Sequence, residues 1–390
     1  MKNRSIISII FLVQAVALLL LLPQSTNAFV SPNAKASNAH ALTNLQKLNQ
    51  GTLFIASADT TGTGTGGTCL TTHSSLTHDA PTLSDRSSTE LNPLKAALTK
   101  AGMVTFVLSM CVALPLTLIP PAILHKAKLI SKTKKERASL RTGQFCSRWL
   151  MRLIPFAKVQ VVQDDNDSQP ESEPTIWVCN HTSMLDIFIL LATDKKLRGK
   201  NKRPIKIIYW KDLEKNPVTG LLFKMSGFLP VEMEDNGSGS ANQYKRSSFK
   251  KLLRGIKEAF DEGFDIGILP EGQLNPRPED GLLPVFPGAF TLARMSKRPI
   301  RMMGLHGLHN LWHGDDKIGM TVTGRQVKVR AYPMGRRFGS GDEFVESFKS
   351  VVGHFGASGE DLPEWRNWMD GSAWEKLTSA KEEVEEQAKK

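Results

Sequence analysis

The residues best suited to chemistry lie in one polar stretch, Asn180-His181-Thr182-Ser183-Met184-Leu185-Asp186. Two apolar runs flank it, Pro174-Thr-Ile-Trp-Val-Cys179 before and Ile187-Phe-Ile-Leu-Leu191 after. The first reads as a short buried strand and the second as a helix, so the heptad belongs to a strand-to-helix turn. Ser183, three residues before Asp186, is expected to cap the helix, with the Asp186 carboxylate in its positive first turn. On a continuous helix, residues five apart lie roughly 140° apart around the axis and cannot meet. If His181 is still in the turn, its ring can fold back towards Asp186. An imidazole that takes a proton through one nitrogen while a carboxylate holds the other is a general base. Taken alone, the same residues also fit a capping Asp186 and a merely polar His181.

Three further stretches join this one. They are Gly227-Phe-Leu-Pro230-Val-Glu-Met233, Phe264-Asp-Ile-Gly-Ile-Leu-Pro270-Glu271-Gly272 and Arg298-Pro299-Ile-Arg-Met-Met-Gly-Leu305. Their order and spacing resemble the glycerolipid acyltransferase family of the lysophosphatidic acid acyltransferase (1-acylglycerol-3-phosphate O-acyltransferase) type. The blocks of that family run N-H-x4-D, G-x-(I/L)-x-(I/V)-x-R, (F/L)-P-E-G-T-R and (V/x)-P-I. The resemblance covers about residues 140 to 335.

The resemblance implies acyl transfer from an acyl thioester, acyl-CoA or acyl-carrier protein, to the hydroxyl of a lysoglycerolipid, with no cofactor and no covalent enzyme intermediate. His181 would be the base and Asp186 its orienting carboxylate. Glu271 and Gly272 match the turn that positions the acceptor, where Glu271 would bind a glycerol hydroxyl or brace the site. Lys211 matches a lysine after the second strand and would meet phosphate; otherwise it is a surface lysine. Two positions depart from the pattern: Met233 ends the second block, and Gln273-Leu274 follows Gly272. The arginines expected there would hold the acceptor's phosphate as bidentate partners. Arg277 and, less directly, Arg246 are the nearest replacements. The alternatives are an acyltransferase for another lysolipid and a catalytically silent lipid-binding homologue.

Strand patterns run over Ala157 to Val162, Thr175 to Cys179, Ile205 to Tyr209, Gly227 to Val231, Asp265 to Leu269, Ile300 to Leu305 and Val327 to Tyr332. Helical patterns lie between several of them, notably Tyr244 to Glu262. The alternation predicts an α/β layered domain with a mostly buried central sheet, the glycerolipid-acyltransferase fold by resemblance, preceded by a membrane-embedded helix or hairpin. Gly102 to Leu124 carries no charge and is long enough to cross a hydrocarbon core. Pro115, Pro120 and Pro121 are expected to kink or break it, which keeps a re-entrant hairpin open. Lys126, Lys128, Lys132, Lys134, Lys135, Arg137 and Arg141 follow, a cluster suited to anionic headgroups.

The 390-residue chain is 41% hydrophobic with a formal net charge of +12, enough for a sizeable core and suggestive of an anionic partner. With three tyrosines and no interleaving of basic and aromatic residues, that partner reads as a membrane rather than nucleic acid. Lys2, Arg4, the apolar Ser5 to Leu22 and Thr26-Asn27-Ala28 read as a signal peptide, or alternatively a signal anchor. Cleavage after Ala28 would expose Phe29 and a Ser/Asn/Ala/Lys stretch resembling the bipartite presequence of secondary-plastid algae. The expected address is the plastid envelope, with the endoplasmic reticulum membrane as alternative. The expected divisions are a signal peptide (1–28), a transit peptide and linker (29–92), a membrane segment with its basic flank (93–141), an acyltransferase domain (142–372) and a charged tail (373–390).

Acidic or flexible excursions at Asp164 to Glu173 and Glu234 to Asn242 read as surface loops. Gly62-Thr-Gly64-Thr-Gly66-Gly67 fits a dinucleotide fingerprint in letters only, because no βαβ unit surrounds it. Cys69, Cys111, Cys146 and Cys179 are scattered and read as free thiols. His306, His309 and His313 have metal-ligand spacing if helical. Gly304, Gly307 and Gly314 argue against that helix, leaving loop histidines near the rim of the site and no metal.

Overall fold

The computed structural model describes residues 93–155, 157–163, 173–199, 202–215, 219–232, 246–313 and 326–389. The signal and transit peptides, Phe29, Cys69, the glycine-rich stretch, Met233 and most of both expected surface loops lie outside them.

Two helices come first, α1 (Pro93–Lys126) and α2 (Lys132–Leu150). There follow β1 (Lys158–Val162), β2 (Ile176–Cys179), α3 (Asp186–Leu197), β3 (Ile205–Trp210), α4 (Thr219–Ser226), β4 (Leu229–Val231), α5 (Arg246–Asp261) and β5 (Asp265–Ile268). The rest is α6 (Gly288–Ser296), β6 (Ile300–His306), β7 (Gln326–Ala331), α7 (Gly341–Phe348), α8 (His354–Ser358), α9 (Trp365–Asp370) and α10 (Ser372–Lys389). Every apolar run read as a strand is one, within two residues at either end.

The strands form one seven-stranded sheet in the order β1-β7-β6-β2-β5-β3-β4. β6, β2, β5, β3 and β4 run parallel, and β7 pairs antiparallel to β6. All four residues of β2 are buried, as a strand covered on both faces requires. Alternate residues feed two cores. Trp177 and Cys179 join α1, α2, α3 and α4 on one face, while Ile176 and Val178 join α5, α6 and α7 on the other. In α5 the buried residues Ser248, Leu252, Ile256 and Ala259 fall three or four apart, a stripe that seats the helix on the sheet.

α1 corrects one expectation. It is a single helix through Pro115, Pro120 and Pro121, neither broken nor folded into a hairpin. Each proline removes one N–H bond to the carbonyl four residues back, yet the helix runs on past all three. The Thr117 hydroxyl donates to Ala113 O at 2.5 Å in the Pro115 turn. The stripe Thr99, Met103, Phe106, Met110, Leu114, Leu118 and Pro121 is buried in the first core, whereas Leu116, Ile119, Ile123 and Leu124 are exposed. The expected division at 141/142 falls inside α2, which packs with α1 into the core beneath the sheet. The tail is a largely exposed helix, α10. Cys111, Cys146 and Cys179 are free thiols.

Candidate active site

β2 and β5 are neighbours in the sheet, but the chain leaves them in opposite directions, through α3 on one face and α6 on the other. Where parallel strands diverge in this way, a crevice opens at their carboxyl ends. His181 follows β2 and Glu271 follows β5, so both stand at that crevice.

His181 Nδ1 lies 2.7 Å from Asp186 Oδ2. The same oxygen accepts the main-chain N–H groups of Thr182 (2.6 Å) and Ser183 (3.0 Å), and Oδ1 accepts the Thr182 hydroxyl at 3.2 Å. An oxygen already accepting two N–H bonds is an acceptor towards the ring as well. The imidazole therefore carries its proton on Nδ1 and keeps Nε2 as a free base. Asp186 is fully buried and the His181 side chain is 21% exposed, which suits a fixed partner and a reachable base.

As expected, the Ser183 Oγ accepts a main-chain N–H at the entry to the helix, that of Leu185 at 3.2 Å, although the helix proper begins only at Asp186. The helix starts at Asp186 after Leu185, which makes no side-chain cap bond, and Asp186 reaches back to hold the N–H groups of the turn. The Ser183 hydroxyl also donates to Trp312 O at 2.6 Å, tying the loop after β6 to the turn. With two oxygens on its carboxyl carbon, Asp186 holds the N–H groups of Thr182 and Ser183 and still meets the imidazole.

Glu271 braces the turn rather than presenting a free carboxylate. Oε1 accepts His181 N–H at 2.7 Å, and Oε2 accepts Leu283 N–H at 2.9 Å. Burial pushes its pKa up to about 7, against the opposing pull of those two N–H groups. Gly272 closes the turn with φ +71°, a conformation that favours glycine, and its N–H donates to Leu269 O at 3.0 Å. Two positioning residues went unrecognised in the sequence. The Asn180 amide exchanges two 2.8 Å bonds with the main chain of Leu305, joining the end of β2 to β6. Asn275 donates its N–H to His181 O at 3.0 Å. Asn180 sits in the N-H-x4-D block itself. Asn275, between Leu274 and Pro276, carries only the weak signal of a turn residue.

The expected cations stand further out. Lys211 follows β3 on the same edge of the sheet but is ion-paired with Glu232, both partly exposed. The Arg277 side chain is 78% exposed and lies 3.9 Å from Asp280. Arg246 opens α5; its side chain lies outside what is described. His306 ends β6 with Nδ1 2.8 Å from Gly356 O, His309 sits in a short turn at Leu308–Asn310, and His313 Nε2 is 3.7 Å from Glu279. The three share no helix, and among the described residues no group of His, Cys, Asp or Glu is arranged to hold a metal.

A small apolar cavity of about 40 Å³ lies between α3 and the sheet, lined among others by Cys179, Ile187, Leu190, Ile207, Leu269 and Met303. Cys179 and Leu269 immediately precede Asn180-His181 and Pro270-Glu271, so the cavity reaches the crevice.

Residues 158–304 match the family model described as Acyltransferase. Over 157 residues the chain is 31% identical to "1-acyl-sn-glycerol-3-phosphate acyltransferase LPAT1, chloroplastic" of Arabidopsis thaliana, covering 39% of this chain and 38% of that protein. It is equally similar, 31% over 157 residues, to "1-acyl-sn-glycerol-3-phosphate acyltransferase BAT2, chloroplastic" of Brassica napus, covering 40% and 39%. The match thus spans well under half the length of these relatives. The crystal structure of the 1-acyl-sn-glycerophosphate acyltransferase PlsC from Thermotoga maritima superposes with a TM-score of 0.49 at 17% identity, over 67% of this chain and 95% of that one.

Proposed function

Because residues 158–304 match the acyltransferase family model, we propose that the protein transfers a fatty acyl group from an acyl thioester to the free hydroxyl of 1-acylglycerol-3-phosphate, giving phosphatidic acid. The observation that carries this reading is the 2.7 Å pair of His181 and Asp186 at the carboxyl end of β2. The acceptor named for both plant relatives supports the choice of lysolipid.

His181 Nε2 takes the acceptor's hydroxyl proton as its oxygen adds to the thioester carbonyl. The tetrahedral centre collapses with cleavage of the C–S bond, and the thiolate leaves with the proton returned from the imidazolium. Asp186 holds the imidazole in one tautomer and faces the imidazolium while it carries charge. Glu271 and Asn275 hold the main chain of His181 from both sides, so the base meets the acceptor without reorganising. The apolar side chains around the cavity beside α3 mark the wall along which an acyl chain would enter, and the exposed Arg277 is the nearest of the expected cations to the Glu271 turn in sequence.

The membrane is reached through α1. One stripe of this helix is packed into the core along most of its length, so it rests on the lipid rather than threading through it, with Leu116, Ile119, Ile123 and Leu124 entering the acyl layer. Phe145 and Trp149 of α2 add an exposed aromatic pair, and Lys126, Lys128, Lys132, Lys134 and Lys135 meet anionic headgroups. The address is the plastid envelope of a secondary-plastid alga, supported by the presequence-like residues 1–58 and by relatives named as chloroplastic.

Purified protein in anionic vesicles, given a labelled acyl thioester and a panel of lysolipids, tests the reading. Product from lysophosphatidic acid that disappears in His181→Ala is expected. Equal product from both proteins would overturn it.

A further inference from the structure

Both arginines that the family pattern expects are replaced here, and the rim cation Arg277 is mostly in water. A phosphate entering the crevice therefore lacks a fixed partner among the expected residues, and leaving it unpaired in a partly dry site is costly. The loop after β6 supplies one.

That loop is fastened to the turn that carries the dyad by the 2.6 Å bond from the Ser183 hydroxyl to Trp312 O. Gly307 turns it with φ +74°, at a point where a Cβ would meet Gln326 O at 2.4 Å. Leu308 and Leu311 are fully buried beneath it. His309, between them, has a buried Nδ1 without a hydrogen-bond partner. Burial pushes its imidazole down, and the charges acting on the ring are Glu279, His306, His313 and Asp186. His306 Nδ1 is paired with Gly356 O, and His313 faces Glu279. Among the described residues, His309 is thus the member of the trio left with a buried polar atom lacking a partner, within electrostatic reach of Asp186. Such atoms are rare because each costs a hydrogen bond.

We propose that His309 binds the acceptor, its Nδ1–H donating to an oxygen of the phosphate while His181 faces the hydroxyl. This rests on the acyl-transfer reading above. It assigns the missing arginines' task to a neutral donor, beside Glu279, which faces His313 at 3.7 Å.

The test has two arms. In the first, lysophosphatidic acid binding is titrated on vesicle-bound His181→Ala and His181→Ala/His309→Ala proteins, so that no turnover is needed. The expected result is a Kd about ten- to a hundredfold weaker in the double variant, partly recovered by His309→Gln, whose amide can still donate. In the second, KM is compared for lysophosphatidic acid and for a monoacylglycerol lacking phosphate. His309→Ala should raise KM for the first acceptor only and leave KM for the thioester donor unchanged. Three results overturn the proposal: equal Kd values, equal losses on both acceptors, or no lysophosphatidic acid binding by His181→Ala. Equal Kd values would assign Nδ1 to a structural water. A wild-type protein that binds lysophosphatidic acid through His309 but transfers no acyl group would sink the acyl-transfer reading and leave the binding site standing.

Discussion

The main-chain N–H of His181 donates to Glu271 Oε1 at 2.7 Å across 90 positions of sequence. The bond forms because β2 and β5 lie side by side, so the turns leaving them meet at one crevice. The base is thereby held at its backbone by one carboxylate and at its ring by another.

Replacing the base isolates the chemistry. His181→Ala is expected to lower kcat by about two to four powers of ten. Asp186→Asn should cost as much or less, because an amide can still touch the turn while failing to orient the ring as an acceptor. Circular dichroism and vesicle binding should match wild type for His181→Ala; near-normal turnover by that protein would rule out the base.

Glu271 gives a stability prediction with a definite sign. Its folded pKa is raised from 4.5 to about 7, so its contribution is fully present below about pH 4.5 and is lost as pH rises through about 7. The loss is on the order of 2–3 kcal/mol for a group this buried. Thermal melts from pH 4.5 to 8 should therefore show wild type losing stability relative to Glu271→Gln as pH rises. Parallel melting curves across that range would mean that the carboxylate is not perturbed.

Arg277 and His309 should differ in weight. An exposed guanidinium is screened by solvent, so Arg277→Ala is expected to raise KM for lysophosphatidic acid only about two- to fivefold. The effect should shrink further in high salt. A larger, salt-insensitive loss would show that Arg277 closes over the substrate.

Membrane attachment through α1 depends on its exposed face. The triple variant Leu116→Ser, Ile119→Ser, Ile123→Ser should reduce partition into anionic vesicles by about tenfold or more, since these residues are 47–63% exposed and lose their lipid contact. Its buried stripe is untouched, so its melting temperature should hold. Unchanged cosedimentation would place the membrane contact elsewhere.

The address is tested by fusing residues 1–58 to a fluorescent reporter in an alga with a secondary plastid. Plastid entry is expected, with Phe29→Ala stranding the reporter outside. Retention in the endoplasmic reticulum with Phe29 intact would reduce the segment to a signal peptide or anchor.

The sequence by itself determined the strands, the α5 stripe and the meeting of His181 with Asp186. Each depends on a local period or on five residues of one turn, and local geometry leaves few choices. The block spacing likewise placed Glu271 and Gly272 at a turn. Tertiary structure alone decided what those residues hold. Ser183 kept a local bond at the helix entry, but the sequence could not show that its hydroxyl also donates to a carbonyl 129 positions away. Glu271 became a brace because β5 inserted next to β2. The loop after β6 came to the turn of the dyad through the bond between Ser183 and Trp312 O. α1, apolar all round, could not reveal which stripe packs and which meets lipid until α2 and the sheet were in place. Pairings across such separations leave no period in the chain, because they are set by the order of strands in the sheet and not by any local preference.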